Sequence, residues 1–208
     1  MTLVMRAKST RIYAYLLWFL ASATLVASVA NGGISELLWA TPVTLLIATI
    51  GWAVFWNPRI EVGPGGIRIV NIVREHLVPW SDFYVAENRW GLYIYSREQS
   101  KKMSVWAVPS NVGLFSNSWR NRKKIPDNPE DVQWNAPGRE NRIVDVKFVA
   151  DLLTIRAGQI RKNSHLRTDL AAQLDEHWPP TTVTKVQIIP VVSIVALFAL
   201  TILMFVSN

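Results

Sequence analysis

The chain has 208 residues, half of them hydrophobic, and carries 22 Lys and Arg against 15 Asp and Glu, a net charge of +7. It contains no cysteine, which excludes structural disulfides, thiolate zinc sites and cysteine nucleophiles and leaves the redox compartment open. The basic excess points to an anionic surface. With no recognition helix, ribonucleoprotein signature or zinc knuckle in the sequence, that surface is read as a membrane and not as nucleic acid.

In chain order, an N-terminal segment holding Arg6, Lys8 and Arg11 leads into an apolar run from Ile12 to Ala30. A second run extends from Leu37 to Trp56 and a third from Gln187 to Val206, and none of the three contains Lys, Arg, Asp or Glu. A helix rises about 1.5 Å per residue, so roughly 20 such residues cross a ~30 Å hydrocarbon layer. Residues 1–56 therefore read as an N-terminal segment and a two-span transmembrane hairpin, and residues 187–208 as a third transmembrane span. The first loop, Asn31 to Glu36, has no basic residue, whereas Arg59 follows the second span and Lys185 precedes the third. The positive-inside rule then predicts a multi-pass protein of the cell membrane, with N-terminus and central domain cytoplasmic and C-terminus outside. Trp39 and Trp56 fit interfacial anchors. A competing reading makes the first run a signal peptide, with Ser28-Val29-Ala30 as a small-residue cleavage site.

The polar segment from Asn57 to Val186 carries 19 basic and 14 acidic residues, a net charge of +5. Its first part alternates as antiparallel strands do. Ile60 and Val62 alternate with Arg59 and Glu61, Gly63-Pro64-Gly65-Gly66 signals a turn, and Ile67 and Ile69 flank Arg68. Leu92 and Ile94, then Met103, Val105 and Ala107, continue the alternation to about Val108. A long loop, 115–142, follows, containing the basic run Trp119, Arg120, Arg122, Lys123 and Lys124 and three prolines. A helix is expected from Val144, with an apolar stripe through Phe148, Val149, Leu152, Leu153, Ile155 and Ile160. Arg156 falls in that stripe; it is read as packing its stem and snorkelling its head, with a ligand-binding arginine as the sharper alternative. Residues 57–162 make one domain, and 163–186 an amphipathic helix, capped by Ser164 and ended by Pro179-Pro180, with a short linker.

Pro58-Arg59-Ile60-Glu61-Val62, then Gly66-Ile67-Arg68-Ile69, then Val78-Pro79-Trp80-Ser81-Asp82 resembles the bacterial PH-like domains of actinobacterial membrane proteins, a family named after a low-molecular-weight protein antigen. The resemblance covers Pro58 to Val108, with Pro79 and Trp80 as its fold signature. It implies a membrane α-helical protein of three spans plus a mainly β cytoplasmic PH-like split barrel, two antiparallel sheets closed by a C-terminal helix (α+β). The long loop and the third span depart from the family plan. Arg59 and Arg68 stand apart around Glu61, unlike the clustered basic signature of phosphoinositide-binding PH domains, so that specificity is not carried over.

No catalytic constellation emerges, and neither a cofactor nor a metal is expected. His76, His165 and His177 share no ligand spacing, and Asp127, Glu130 and Asp131 lack a calcium loop. Gly63 to Gly66 joins two strands and lacks the helix and Lys of a phosphate loop. Trp80 reads as core with its N–H on a nearby carbonyl, a ligand platform being the alternative. Trp119, Arg120, Arg122, Lys123 and Lys124 are the candidate lipid or partner contact, against a solvated basic loop. The expected function is a non-enzymatic membrane-anchored PH-like interaction module that binds a protein partner, with anionic lipid contact. The alternative is an auxiliary subunit of a membrane enzyme or transporter complex.

Overall fold

The computed structural model describes residues 1–97, 101–109, 129, 132, 134, 138–163, 165, 166, 168 and 178–206. The chain begins on a strand that the sequence reading did not contain, β1 (Thr2–Arg6). Leu3, Val4 and Met5 are at most 1% exposed. Five residues are too few to show a period, and the basic residues after them read as a leader to the first apolar run. Two helices follow, α1 (Lys8–Gly32) and α2 (Ser35–Ile50), the second running on as a π-helical segment, Gly51–Trp56. Gly33 ends α1 at φ 72°, a left-handed conformation that glycine adopts without a Cβ penalty, and its N–H returns to Val29 O. The helices approach closely through small residues, with Ala14, Ala21 and Ala53 buried. A Cβ on Gly51 would lie 3.2 Å from Leu17 and Trp18.

Six strands follow in the stretch read as alternating: β2 (Arg59–Val62), β3 (Gly66–Val70), β4 (Arg74–Pro79), β5 (Phe83–Glu87), β6 (Leu92–Ser96) and β7 (Lys102–Val105). Every pairing among them is antiparallel. Three more elements complete the domain: β8 (Arg139–Ile143), α3 (Val146–Lys162) and β9 (Val183–Val186). One sheet has the order β8-β1-β2-β3-β4-β9, the other β5-β6-β7. Ile60, Val62, Ile67, Ile69 and Val78 from the first sheet join Phe83, Leu92, Ile94, Met103 and Val105 from the second in one core. Each such burial contributes about 1.5–3 kcal/mol. Asp145 caps α3 by accepting from Phe148 N at 2.8 Å, and Val149, Leu152, Leu153, Ala157 and Ile160 turn inward. A last helix, α4 (Ile188–Val206), packs along α2. Helices Lys8–Gly32, Ser35–Trp56 and Ile188–Val206 are each long and apolar enough to cross a membrane.

Several boundaries differ from the sequence reading. Arg139–Ile143, placed in the loop 115–142, is strand β8, and it runs parallel to β1, so the larger sheet is mixed and not antiparallel. Val183–Val186, read as linker, is an edge strand on β4. Both are polar strands of four or five residues whose only signal is a remote partner. Most of the amphipathic helix expected after Ser164 lies outside the described residues. Arg156 does not snorkel: it is 7% exposed, its guanidinium lies 4.5 Å from the Trp134 ring centroid, and burial lowers its pKa. Trp134 lies in the stretch read as loop, so its ring could not be foreseen as a lid on the arginine.

The strand pairings put the three apolar helices at one end of the larger sheet. Met5 pairs with Ile60, Arg59 with Val70, Val70 with Glu75, and Arg74 with Val186. Those residues adjoin the start of α1, the end of Gly51–Trp56 and the start of α4.

Candidate functional site

At this helix-bearing end, the β3–β4 turn is held by one side chain. Asn71 N donates to Arg74 O at 2.9 Å and closes the turn. Its side chain reaches the other sheet, donating to Ser104 O at 2.7 Å and accepting from Trp106 N at 2.9 Å. Trp106 in turn donates its indole N–H to Val54 O at 2.9 Å, in the last turn before Trp56. On the other flank, Gln187 N, just ahead of α4, donates to Val73 O at 2.8 Å. A turn of the domain is thus bonded to the ends of two apolar helices.

Between this turn and β7 lies a cavity of about 320 Å³. Its wall contains Asn71, Arg74, His76, Lys102 and Ser104, and Ile72, Val73 and Trp106 form its apolar part. Among the described residues there is no carboxylate in the wall. Arg74 and Lys102 are exposed, and no ion pair among the described residues includes either. Lys102 Nζ stands 4.0 Å from the Tyr93 ring centroid. His76 is buried with Nδ1 2.9 Å from Thr184 Oγ1. Burial, then the positive charges of Arg74 and Lys101, lower its pKa from 6.5. The imidazole is therefore neutral near pH 7, and Arg74 and Lys102 supply the charge.

The outer face of the larger sheet is different, because its arginines are matched by carboxylates. Glu61, 7% exposed, receives Arg59 Nε at 2.6 Å and Arg139 Nη2 at 2.5 Å, with Arg68 Nη1 at 3.7 Å. Arg68 Nε also meets Glu75 at 2.7 Å, and that hydrogen bond raises the arginine's pKa. A second cavity of about 360 Å³ over Glu61, Arg68, Glu75, Trp178 and Lys185 therefore has its own counter-charges. Arg6, at the helix-bearing end, has its pKa lowered by burial and by Arg59, Arg11 and Arg139.

Of the residues singled out in the sequence, Trp119, Arg120, Arg122, Lys123 and Lys124 lie outside the described residues. Pro79 and Trp80 sit at the opposite end from the apolar helices. The Trp80 indole is 7% exposed, donates to Gly63 O at 3.0 Å and meets Phe83 edge-on at 5.7 Å. A ring so enclosed serves the core and offers no ligand platform. Asp82 of the same motif accepts from Arg97 N and from Thr182 N and Oγ1, bonding the turn to the segment before β9. Sequence reasoning missed Asn71, Arg74, Lys102 and Trp106, and weighed His76 only as a metal ligand. No spacing links Arg74 to Lys102; they share one cavity where the Asn71 side chain joins the β3–β4 turn to β7. Among the described residues no three His, Asp or Glu side chains converge as a metal site.

A family model described as bacterial PH domain matches residues 57–108, which is β2 to β7, a quarter of the chain. Over that stretch the chain is similar to bacterial PH domains, an interaction-module class that is generally non-catalytic. No curated protein and no solved structure matches the chain.

Proposed function

We propose that the chain is a non-enzymatic, membrane-anchored PH-like module that binds a protein partner at the bilayer surface, with contact to anionic lipid. In this reading α1, α2 with its π-helical segment, and α4 cross the membrane. The N-terminus and the domain lie in the cytoplasm and the C-terminal end outside. The two sheets and α3 are a PH-like split barrel, extended by β1, β8 and β9.

One observation carries the reading: all three apolar helices leave the same end of a single sheet, and β1, ahead of the first helix, lies inside that sheet. A sheet cannot be divided by a bilayer, because its backbone groups would lose their partners in hydrocarbon. Residues 2–6, 59–62 and 183–186 therefore share one side, and α4 carries the chain to the other. The basic residues Arg6, Lys8, Arg11, Arg59 and Lys185 cluster at the shared end and favour the cytoplasm. Tyr13 meets Phe55, and Tyr15, Trp18 and Trp56 meet one another with Arg11 over Trp56, near the same helix ends, as interfacial aromatic residues do. For the protein partner, β9 is an edge strand among the described residues, with exposed Thr184, Lys185 and Val186, suited to strand addition.

The test is a pair of topology reporters, one fused at Asn208 and one inserted near Pro126, with alkaline extraction of the membranes. The expected result is a chain retained in the membrane, an external report from Asn208 and a cytoplasmic report from Pro126. Release by alkali, or both reports from one side, would refute the reading.

A further inference from the structure

We propose that the cavity between the β3–β4 turn and β7 seats the phosphate of an anionic phospholipid headgroup, held by Arg74 and Lys102. The inference rests on the membrane-crossing reading above and adds a site and a ligand class to it.

Charge comes first. Among the described residues, Arg74 and Lys102 face a cavity without a carboxylate, whereas the arginines of the outer sheet face are matched by Glu61 and Glu75. Two cations on one concavity with no ion-pair partner among the described residues, and with the Asn71 and Ser104 groups beside them, suit a phosphate diester, whose charge is spread over acceptor oxygens. His76 also lines the cavity and, with Nδ1 2.9 Å from Thr184 Oγ1, adds hydrogen-bonding capacity.

Depth comes second. The rim is bonded to Val54 O in the last turn before Trp56 and to Gln187 at the head of α4. If these helices cross the bilayer, that rim lies where hydrocarbon gives way to headgroups. Polarity runs in the matching direction. Val73 and Trp106, each nearly half exposed, stand beside the helix ends and suit the glycerol and upper acyl region, with Arg74 and Lys102 available to the phosphate. A soluble phosphate ester would satisfy the two cations equally well but would leave the apolar rim without a counterpart. The lipid is therefore the favoured source. The cavity also lies at the opposite end of β3 from the Gly63 to Gly66 turn, so the seat is set by the helices and not by that hairpin.

The test uses the full chain in nanodiscs of phosphatidylcholine doped with photoactivatable phosphatidylglycerol or photoactivatable phosphatidylcholine. Crosslinks are mapped by mass spectrometry. The expected result is preferential phosphatidylglycerol labelling of the Asn71 to Arg74 turn and Trp106. In Arg74→Gln/Lys102→Gln the affinity for phosphatidylglycerol should fall by about thirtyfold, from one charge interaction lost at each position. Arg74→Lys alone should retain most of the labelling. Both residues are exposed, and an unchanged limited-proteolysis pattern checks that the double variant folds. Equal labelling by the two lipids, or labelling unchanged in the double variant, overturns the site. Loss of labelling on adding inorganic phosphate or glycerol 3-phosphate overturns the lipid as source and assigns a soluble phosphate. Alkaline extraction of the same chain separates the failures: a retained chain with headgroup-indifferent labelling refutes the site alone, and a released chain refutes the membrane reading beneath it.

Discussion

The indole N–H of Trp106 donates to the backbone carbonyl of Val54 at 2.9 Å, joining the end of β7 to the last turn before Trp56. Carbonyls in a helix's last turn have no partner within the helix, and here one is satisfied by the polar domain. Trp106→Phe keeps most of the ring and removes the donor. It is expected to cost about 0.5–1.5 kcal/mol and to speed amide exchange around Ser104 to Ala107. Unchanged exchange there would mean that the domain is positioned without this bond.

Trp80 closes the opposite end of the domain, with its N–H on Gly63 O and its ring against Phe83. Trp80→Ala should lower the stability of the full chain in detergent by about 3–5 kcal/mol, by loss of burial and the cavity left behind. Trp80→Phe should cost less, since a ring remains, though Gly63 O loses its donor. A loss below about 1 kcal/mol for the alanine variant would remove Trp80 from the core.

Strand β1 sits between β2 and β8, and Leu3 and Met5 are 0% exposed. Cleavage after Ala30 would remove an interior strand and leave β2 and β8 without their shared neighbour. The mature protein is therefore expected to retain residues 2–30, which intact-mass measurement reads directly. Leu3→Ala should cost about 2–5 kcal/mol, measured by thermal unfolding in detergent. A mature mass lacking residues 1–30 would restore the signal-peptide reading.

Glu61 is the shared acceptor of Arg59 and Arg139. Glu61→Gln leaves those guanidinium groups close together without a counter-charge. Arg139 is more than half exposed, so water screens part of the repulsion. A loss of about 1.5–3 kcal/mol is expected, partly recovered by adding Arg139→Gln. A double variant no more stable than Glu61→Gln would show that the two groups are not coupled.

His76 predicts a pH dependence. Its folded pKa is lowered by burial and by Arg74 and Lys101. The unfolded state then binds more protons as pH falls through 6.5, so this contribution is fully present above 6.5 and is lost as pH falls toward the folded value. Stability measured from pH 7.5 downward should decline more steeply in the native chain than in His76→Gln. Parallel profiles would show that His76 titrates as it does in water.

The three apolar helices and the strands β2, β3, β6 and β7 were legible from sequence, for a common reason. A helix satisfies its backbone within its own segment, so an uncharged apolar run suffices to announce it. Strands β2 and β3, and likewise β6 and β7, pair with a neighbour in sequence across a short connection, so alternation, with the Gly63 to Gly66 signal for the first pair, was enough. Tertiary structure alone decided β1, β8 and β9, the burial of Arg156 under Trp134, and the Arg74–Lys102 cavity. A strand's N–H and C=O groups are satisfied by another segment, and for β1, β8 and β9 that segment is remote. Likewise a binding cavity depends on which distant side chains share a space, here where Asn71 bridges two sheets, and neither leaves a periodicity to read.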